Sequence, residues 1–129
     1  MEKIKIIFVC LGNYCRSPMA EAIFNNIVET EDTSDKFVVS SAGTKDWDIG
    51  LRPDFRAQKV LSEADIPLDP GKRAKMISDQ GRHDADYVIA MTERIAHELG
   101  DHDNVFLLMD FAEDAPSRDI PDPYPTDTF

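Results

Sequence analysis

The stretch Ile4-Lys5-Ile6-Ile7-Phe8-Val9-Cys10-Leu11-Gly12-Asn13-Tyr14-Cys15-Arg16-Ser17-Pro18 decides how the rest of the chain reads. Its first six residues are almost wholly apolar, as in a strand covered on both faces. Cys10 follows that run, Arg16 comes after five intervening residues, and Ser17-Pro18 opens an amphipathic segment. Serine is a favoured helix N-cap and proline suits the first helical position, where no N–H is needed. The segment therefore reads as strand, tight loop and helix start, with Ser17 as the cap. Backbone N–H groups of such a loop converge on one point and form an anion-binding nest at a helix N-terminus. A thiol at the rim of an anion site is a candidate nucleophile for phosphate esters.

An isolated thiol titrates near pH 8.5, which leaves only about 3% thiolate at pH 7. Converging N–H donors, a helix N-terminus and Arg16 all favour negative charge, and sites of this kind bring a cysteine to about 3.5–7.5. The planar fork of Arg16 can grip two phosphoryl oxygens, which an ammonium cannot. Charge on those oxygens is then held through the transition state. Ser17 can donate its hydroxyl to the sulfur. Gly12 and Asn13 are residue types that tolerate positive φ, which a loop wrapped round an anion needs. The remaining requirement is a proton for the leaving oxygen, commonly worth about 10²–10⁴ in rate. Asp122, stiffened by Pro121 and Pro123, is a candidate in a tail that also holds Asp114, Asp119 and Asp127.

Each of these residues has a plainer reading. Cys10 could be a buried thiol, and Arg16 the partner of a surface carboxylate. Cys15 could be a small packed residue instead of a reversible disulfide partner that shields Cys10 from over-oxidation. Trp47, in the loop Gly43–Gly50, and Tyr124 could be loop anchors instead of aromatic walls for a ring-bearing substrate. The strand before Cys10 and the Ser-Pro after Arg16 favour the nucleophile. Spacing alone leaves Asp122, Cys15, Trp47 and Tyr124 open.

Outward from this stretch, strand-like and helix-like runs alternate, as expected for a single α/β domain over residues 1–129, doubly wound, with a four-stranded parallel sheet flanked by helices. Strand one covers about Lys3 to Val9. The first helix presents Met19, Ile23 and Ile27, with Ala20, Phe24 and Val28 beside them, to the sheet. Strand two spans about Phe37 to Ser41. A second helix runs from about Pro53 to Ala64, with Ala57, Val60, Leu61 and Ala64 inward. A Pro- and charge-rich connection, Pro67 to Lys75, follows. Strand three is Tyr87–Met91. Thr92 caps a helix that ends near Leu99, before Gly100. Strand four is Val105–Met109, and residues 110–129 read as loop. In this arrangement ligands sit at the carboxyl ends of strands near a topological switch point, and Cys10 lies at such an end.

The chain has 129 residues, 42% hydrophobic and 30% charged, enough for one domain with a real core and too few for two. A net charge of -11 disfavours nucleic acid and anionic membrane as general partners while leaving room for one positive pocket. No apolar run approaches the roughly 20 residues of a membrane span, and the first residues carry no signal-peptide pattern. With only two cysteines, the expected setting is a reducing cytoplasm. His83, His97 and His102 show no metal-ligand spacing to the cysteines, so neither a metal nor another cofactor is expected.

The chain resembles the low-molecular-weight protein-tyrosine-phosphatase family. The resemblance rests on Val9–Glu21, on Ser40-Ser-Ala-Gly-Thr44 with Trp47 after it, on Arg56-Ala-Gln58, on Asp86–Met91 and on Pro121-Asp-Pro-Tyr124. It implies hydrolysis of a phosphomonoester in two steps, with phosphorylated proteins or peptides as substrates. Cys10 attacks phosphorus, and Asp122 protonates the leaving group and later acts as base for water. Arg16 and the N–H groups from Leu11 to Ser17, through Gly12, Asn13, Tyr14 and Cys15, hold the phosphoryl group. Asn13, Ser17 and Ser41 match positions that brace the loop, and Trp47 and Tyr124 match cleft walls.

Three departures stand out. Tyr14 occupies a position where tyrosine-specific members usually carry Ile and phosphoarginine-specific relatives Thr. Lys72 lies where many members have a histidine supporting the loop. The sequence stops at Phe129, where the family normally begins a last C-terminal helix packed on the sheet. Several core side chains at about 1.5–3 kcal/mol each are large against a total of about 5–15 kcal/mol. The expectation is truncation, or a partner or copy over that face, or a marginally stable domain, with an exposed apolar strip and self-association. Competing readings are a protein phosphoarginine phosphatase, an arsenate reductase, which would need cysteines beyond Cys15, and a catalytically weak phosphate-binding module.

Overall fold

Strand β1 (Ile4–Cys10) runs through the interior of a four-stranded parallel sheet in this computed structural model, which describes residues 2–129. It pairs on one side with β2 (Phe37–Gly43), from Ile4↔Phe37 to Cys10↔Gly43, and on the other with β3 (Tyr87–Ala90), from Ile6↔Tyr87 to Val9↔Ala90. Strand β4 (Val105–Leu107) adds to β3, giving the order β2-β1-β3-β4. The apolar run of β1 exists because helices cover the sheet: Val9 and Val88 are wholly buried and Phe8 nearly so. The chain leaves β1 for β2 on one side and resumes with β3 on the other. The carboxyl end of β1 is therefore a switch point, where a crevice opens between diverging connections. Among the described residues, no helix is long and apolar enough to cross a membrane.

Four helices connect the strands: α1 (Arg16–Thr30), α2 (Phe55–Glu63), α3 (Asp79–Asp84) and α4 (Glu93–Leu99). Helix α1 seats Phe24 between Phe8 and Phe37, with ring centroids 5.9 Å and 5.3 Å away. Thr92 caps α4 as expected, its hydroxyl accepting from the Ile95 N–H at 3.1 Å, and Gly100 ends the helix at φ 96°. Helix α3 falls in a stretch the sequence reading leaves without an element. It is a single short piece closed by Ser78, whose hydroxyl accepts from the Gly81 N–H.

Several expectations are corrected. Helix α1 begins at Arg16 with Cys15 as the cap residue, and Ser17 is not the cap. Asp54 caps α2, which is shorter than expected; Ala57 and Leu61 are buried, but Val60 and Ala64 are exposed. Strand β4 ends at Leu107 because the chain tightens into a 3₁₀ turn, Leu108–Phe111. Ile23 and Ile27 do not lie on the sheet. They are 41% and 52% exposed, because Ala22 and Val28 take the buried side of α1. With Phe8, Met19, Leu108 and Ile120 they line an open apolar groove of about 360 Å³.

Candidate active site

The loop after β1 is shaped by two close approaches and one strained residue. Asn13 takes φ 57°, the left-handed region that asparagine tolerates better than most. Gly12 does not adopt a positive φ, contrary to expectation. A Cβ there would meet the Asp48 carboxylate, a side-chain end that would have to move aside. Gly43, at the end of β2, would likewise drive a Cβ into the Leu11 carbonyl and the Asn13 N–H. Thr44 and Lys45 donate their N–H groups to the carbonyls of Cys10 and Leu11 at 3.0 Å and 2.9 Å, and the Asp54 N–H donates to the Tyr14 carbonyl at 2.9 Å. Carbonyls of the loop are thus turned outward into the protein. Among the described residues, no backbone N–H from Leu11 to Ser17 donates to another protein group, and α1 has no side-chain cap and no acidic residue in its first turn. The helix dipole and these free donors leave one end of the loop suited to an anion.

Behind the loop lies a directional hydrogen-bond chain. Lys72, buried, pairs with Glu21 at 3.3 Å and donates to the Ser41 carbonyl at 3.1 Å. The Ser41 hydroxyl donates to Glu21 Oε1 at 2.6 Å and therefore accepts from Asn13 Nδ2 at 2.9 Å. The second Nδ2 hydrogen of Asn13 goes to Ser17 Oγ at 2.8 Å, while Asn13 Oδ1 accepts from the Lys75 N–H at 3.1 Å. Having accepted from Asn13, Ser17 has one hydrogen to give. Cys10 Sγ lies 2.9 Å away and the Ala42 carbonyl 3.4 Å, so the shorter contact is to sulfur. Asn13, Ser17 and Ser41 are completely buried, so the order of donors and acceptors is set without competition from solvent. Burial pulls Lys72 below the usual lysine range, against the opposing attraction of Glu21.

In front of the loop is a pocket of about 460 Å³ lined by Cys10, Leu11, Gly12, Tyr14, Cys15 and Arg16 from the loop, and by Trp47, Asp48, Leu51, Asp122 and Tyr124 from outside it. The structure thus brings Cys10, Arg16 and Asp122 to one cavity. Arg16 is buried and one Nη1 hydrogen donates to the Ile120 carbonyl at 2.9 Å, which ties the loop to the tail. Asp122 Oδ1 accepts from the Tyr124 N–H at 3.1 Å in a local turn. Trp47 and Tyr124 are exposed rim residues, and the rings of Tyr14 and Tyr124 stand 6.2 Å apart at a tilt. Burial raises the Tyr14 phenol above its ordinary value, with Asp54 and Asp48 adding to the shift, so it stays protonated. Both cysteines are free and buried. Burial, assisted by Asp54 and Asp122, pushes the Cys15 thiol up to about 12, which makes it a poor attacking group at neutral pH.

Ser41 and Lys72 sit behind the loop, away from the pocket. The sequence reading gave no role to Glu21, Asp48, Asp54 or Arg56. Glu21 stands four residues after Ser17 on α1, a spacing that places both on one helix face. Asp54 before a helical run carries an N-cap signal. Asp48 has no such signal, since its proximity to Gly12 arises from tertiary packing alone.

The sequence model of the family described as low molecular weight phosphotyrosine protein phosphatase matches residues 5–129. The low molecular weight protein-tyrosine-phosphatase YfkJ of Bacillus subtilis is 39% identical over 98% of this chain and 84% of its own. Its crystal structure superposes with a TM-score of 0.95 at 38% identity, over 100% of this chain and 84% of that one. The protein-tyrosine-phosphatase PtpA of Staphylococcus saprophyticus is 39% identical over 98% of this chain and 82% of its own. The structure of DARP, a Drosophila arginine phosphatase, matches with a TM-score of 0.79 and 35% identity, over 94% of this chain and 81% of that one.

Proposed function

The chain belongs to the low molecular weight phosphotyrosine protein phosphatase family, a family of cysteine-based phosphatases, and from that premise we propose that it removes phosphate from phosphotyrosine in proteins by a Cys10–Arg16–Asp122 mechanism. The phosphoryl group enters the loop, where the N–H groups from Leu11 to Ser17 and the Arg16 guanidinium face its equatorial oxygens. The Cys10 thiolate attacks phosphorus in line with the tyrosyl oxygen. As the S–P bond forms and the P–O bond breaks, Asp122 gives its proton to the phenolate. Water then attacks the cysteinyl-phosphate, Asp122 takes up a proton, and the electron pair of the S–P bond returns to sulfur. Ser17 donates to that sulfur and eases its departure. Trp47 and Tyr124 flank the substrate ring, and Ser41 and Lys72 keep the loop in shape from behind. No metal or cofactor is needed.

The observation that supports this reading most is the 2.9 Å contact of Cys10 Sγ with Ser17 Oγ, itself held by Asn13 Nδ2, at a pocket that Cys10 shares with Arg16 and Asp122. Rapid quenching during turnover of an aryl phosphate tests it. Phosphorus NMR of the quenched wild type is expected to reveal a phosphorus–sulfur linkage that the Cys10→Ser protein lacks. Turnover with no such species would end the proposal.

A second reading, phosphoarginine hydrolysis, draws on Tyr14 at the rim and on the likeness to an arginine phosphatase. A paired panel of phosphotyrosine and phosphoarginine peptides separates the two, and Tyr14→Thr and Tyr14→Ile are expected to move the ratio if the ring gates the pocket. The cytoplasm is the proposed setting, since two free thiols persist there. Self-association through the apolar groove is part of the same reading. Sedimentation velocity checks it, and a strictly monomeric sample at high concentration would remove it.

A further inference from the structure

We propose that Arg56 is the positioning residue for Asp122: it fastens the acid-bearing tail to the phosphate loop and so sets where the proton is delivered. The inference rests on Asp122 being the general acid.

Arg56 is held before it holds anything else. Asp54, 4% exposed, accepts its Nε and Nη2 hydrogens at 3.0 Å and 2.9 Å in a planar fork. The same aspartate caps α2 by accepting the Arg56 N–H at 2.8 Å, and its own N–H donates to the Tyr14 carbonyl of the phosphate loop. The guanidinium is therefore referenced to the loop through one residue. Its free edge reaches the tail. Nη1 donates to the Tyr124 carbonyl and to Asp127 Oδ1, each at 3.2 Å, and the plane lies over the Tyr124 ring, 5.0 Å from its centroid. Among the described residues, Arg56 is the only group outside the tail that hydrogen-bonds residues 121–129; the next attachments are at Ile120, whose carbonyl accepts from Arg16 and whose N–H donates to the Met91 carbonyl. Asp122 lies between these two points of attachment. Its carboxylate accepts from the Tyr124 N–H, so fixing the Tyr124 backbone fixes the orientation of the acid. A fork-held arginine suits this task because its geometry is set before the tail arrives.

A leaving-group series of aryl phosphates tests the idea through kcat/KM. A working acid makes the rate nearly independent of the leaving group's own acidity, and loss of the acid restores that dependence. Asp122→Asn is expected to show a steep slope. Arg56→Ala is expected to steepen the slope most of the way toward it, losing about 10–100-fold on the poorest leaving groups and under about threefold on the best. Inhibition by inorganic phosphate should change less than twofold, roughly, because the loop donors are untouched. Arg56→Ala in the Asp122→Asn background should cost little more. A loss of the Tyr124 wall alone would lower all substrates evenly and leave the slope unchanged, which would overturn the proposal. So would a double variant in which the two losses multiply in full. A wild-type slope in Asp122→Asn itself would remove the acid reading and this inference with it. If the alanine variant fails to fold, Arg56→Lys, which keeps a charge near Tyr124 without the fork, decides: a steeper slope supports the assignment and a wild-type slope refutes it.

Discussion

The loop from Cys10 to Ser17 and the tail from Ile120 to Phe129 meet across one pocket and are held in opposite ways. The loop is braced from within: Asn13, Ser17 and Ser41 are fully buried, each satisfied by the next, with the Lys72–Glu21 pair closing the far end. The tail has no strand or helix, only Pro123 is buried among residues 121–129, and it is fastened by Arg16 and the Met91 carbonyl at Ile120 and by Arg56 at Tyr124 and Asp127. The difference follows from what each part must do. Stabilising a thiolate and a phosphoryl transition state requires dipoles that are already in place before substrate arrives. Delivering a proton to a leaving oxygen, and later taking one from water, requires a group that can adjust, and segments with few buried contacts open most easily.

The sharpest way to break this contrast is at the sulfur. Cys10→Ser is expected to abolish turnover while thermal melts still show protection by inorganic phosphate, because the cradle survives. Residual turnover near wild type would mean that the braced loop is not the reactive part. Next in size is the tail: Asp122→Ala is expected to slow an unactivated aryl phosphate by about 10²–10⁴, read as kcat/KM, with little change in the urea midpoint. The loop should behave the other way. Asn13→Ala removes three hydrogen bonds, two of them to the buried Ser17 and Ser41, and leaves a left-handed backbone to alanine, for an expected cost of about 2–4 kcal/mol in urea unfolding, together with a loss of activity. Equal stability effects at Asn13 and Asp122 would dissolve the distinction between the two regions.

The smallest effect concerns acid pH. Hydrogen bonds from Arg56 hold the Asp54 carboxyl below its ordinary range. A depressed folded value means that Asp54 stabilises the protein fully above its unfolded value of about 3.9, and that the contribution is lost as pH falls through the lower folded value. Asp54→Asn is therefore expected to have a lower urea midpoint than wild type at pH 7, with the gap narrowing as pH falls below about 4. A gap that widens on acidification would contradict the assignment.

Legibility in the sequence divides along the same line. Strands β1 and β3 and the cap at Thr92 could be read directly, because unbroken apolar runs and a capping residue act locally. Cys10, Arg16 and the contact of the Ser17 hydroxyl with sulfur are legible from their spacing, whereas the cap reading of Ser17 fails because α1 starts one residue earlier. Asp122 could not be distinguished from Asp114, Asp119 and Asp127 by spacing alone, since only the path of the tail brings it to the pocket. Asp48 and Arg56 were illegible for the same reason: their contacts join segments far apart in sequence. Ile23 and Ile27 had the helical period of a buried face, but periodicity does not say which apolar face finds a cover.

Gly43 has a consequence for heredity. It belongs to β2 and is not among the residues lining the Cys10 pocket, yet any side chain there would collide with the backbone that curls round the phosphate. In a saturation screen for function it should tolerate as little change as Cys10 does. A mutational map would place it with the reactive centre, although its contribution is only the space it leaves empty.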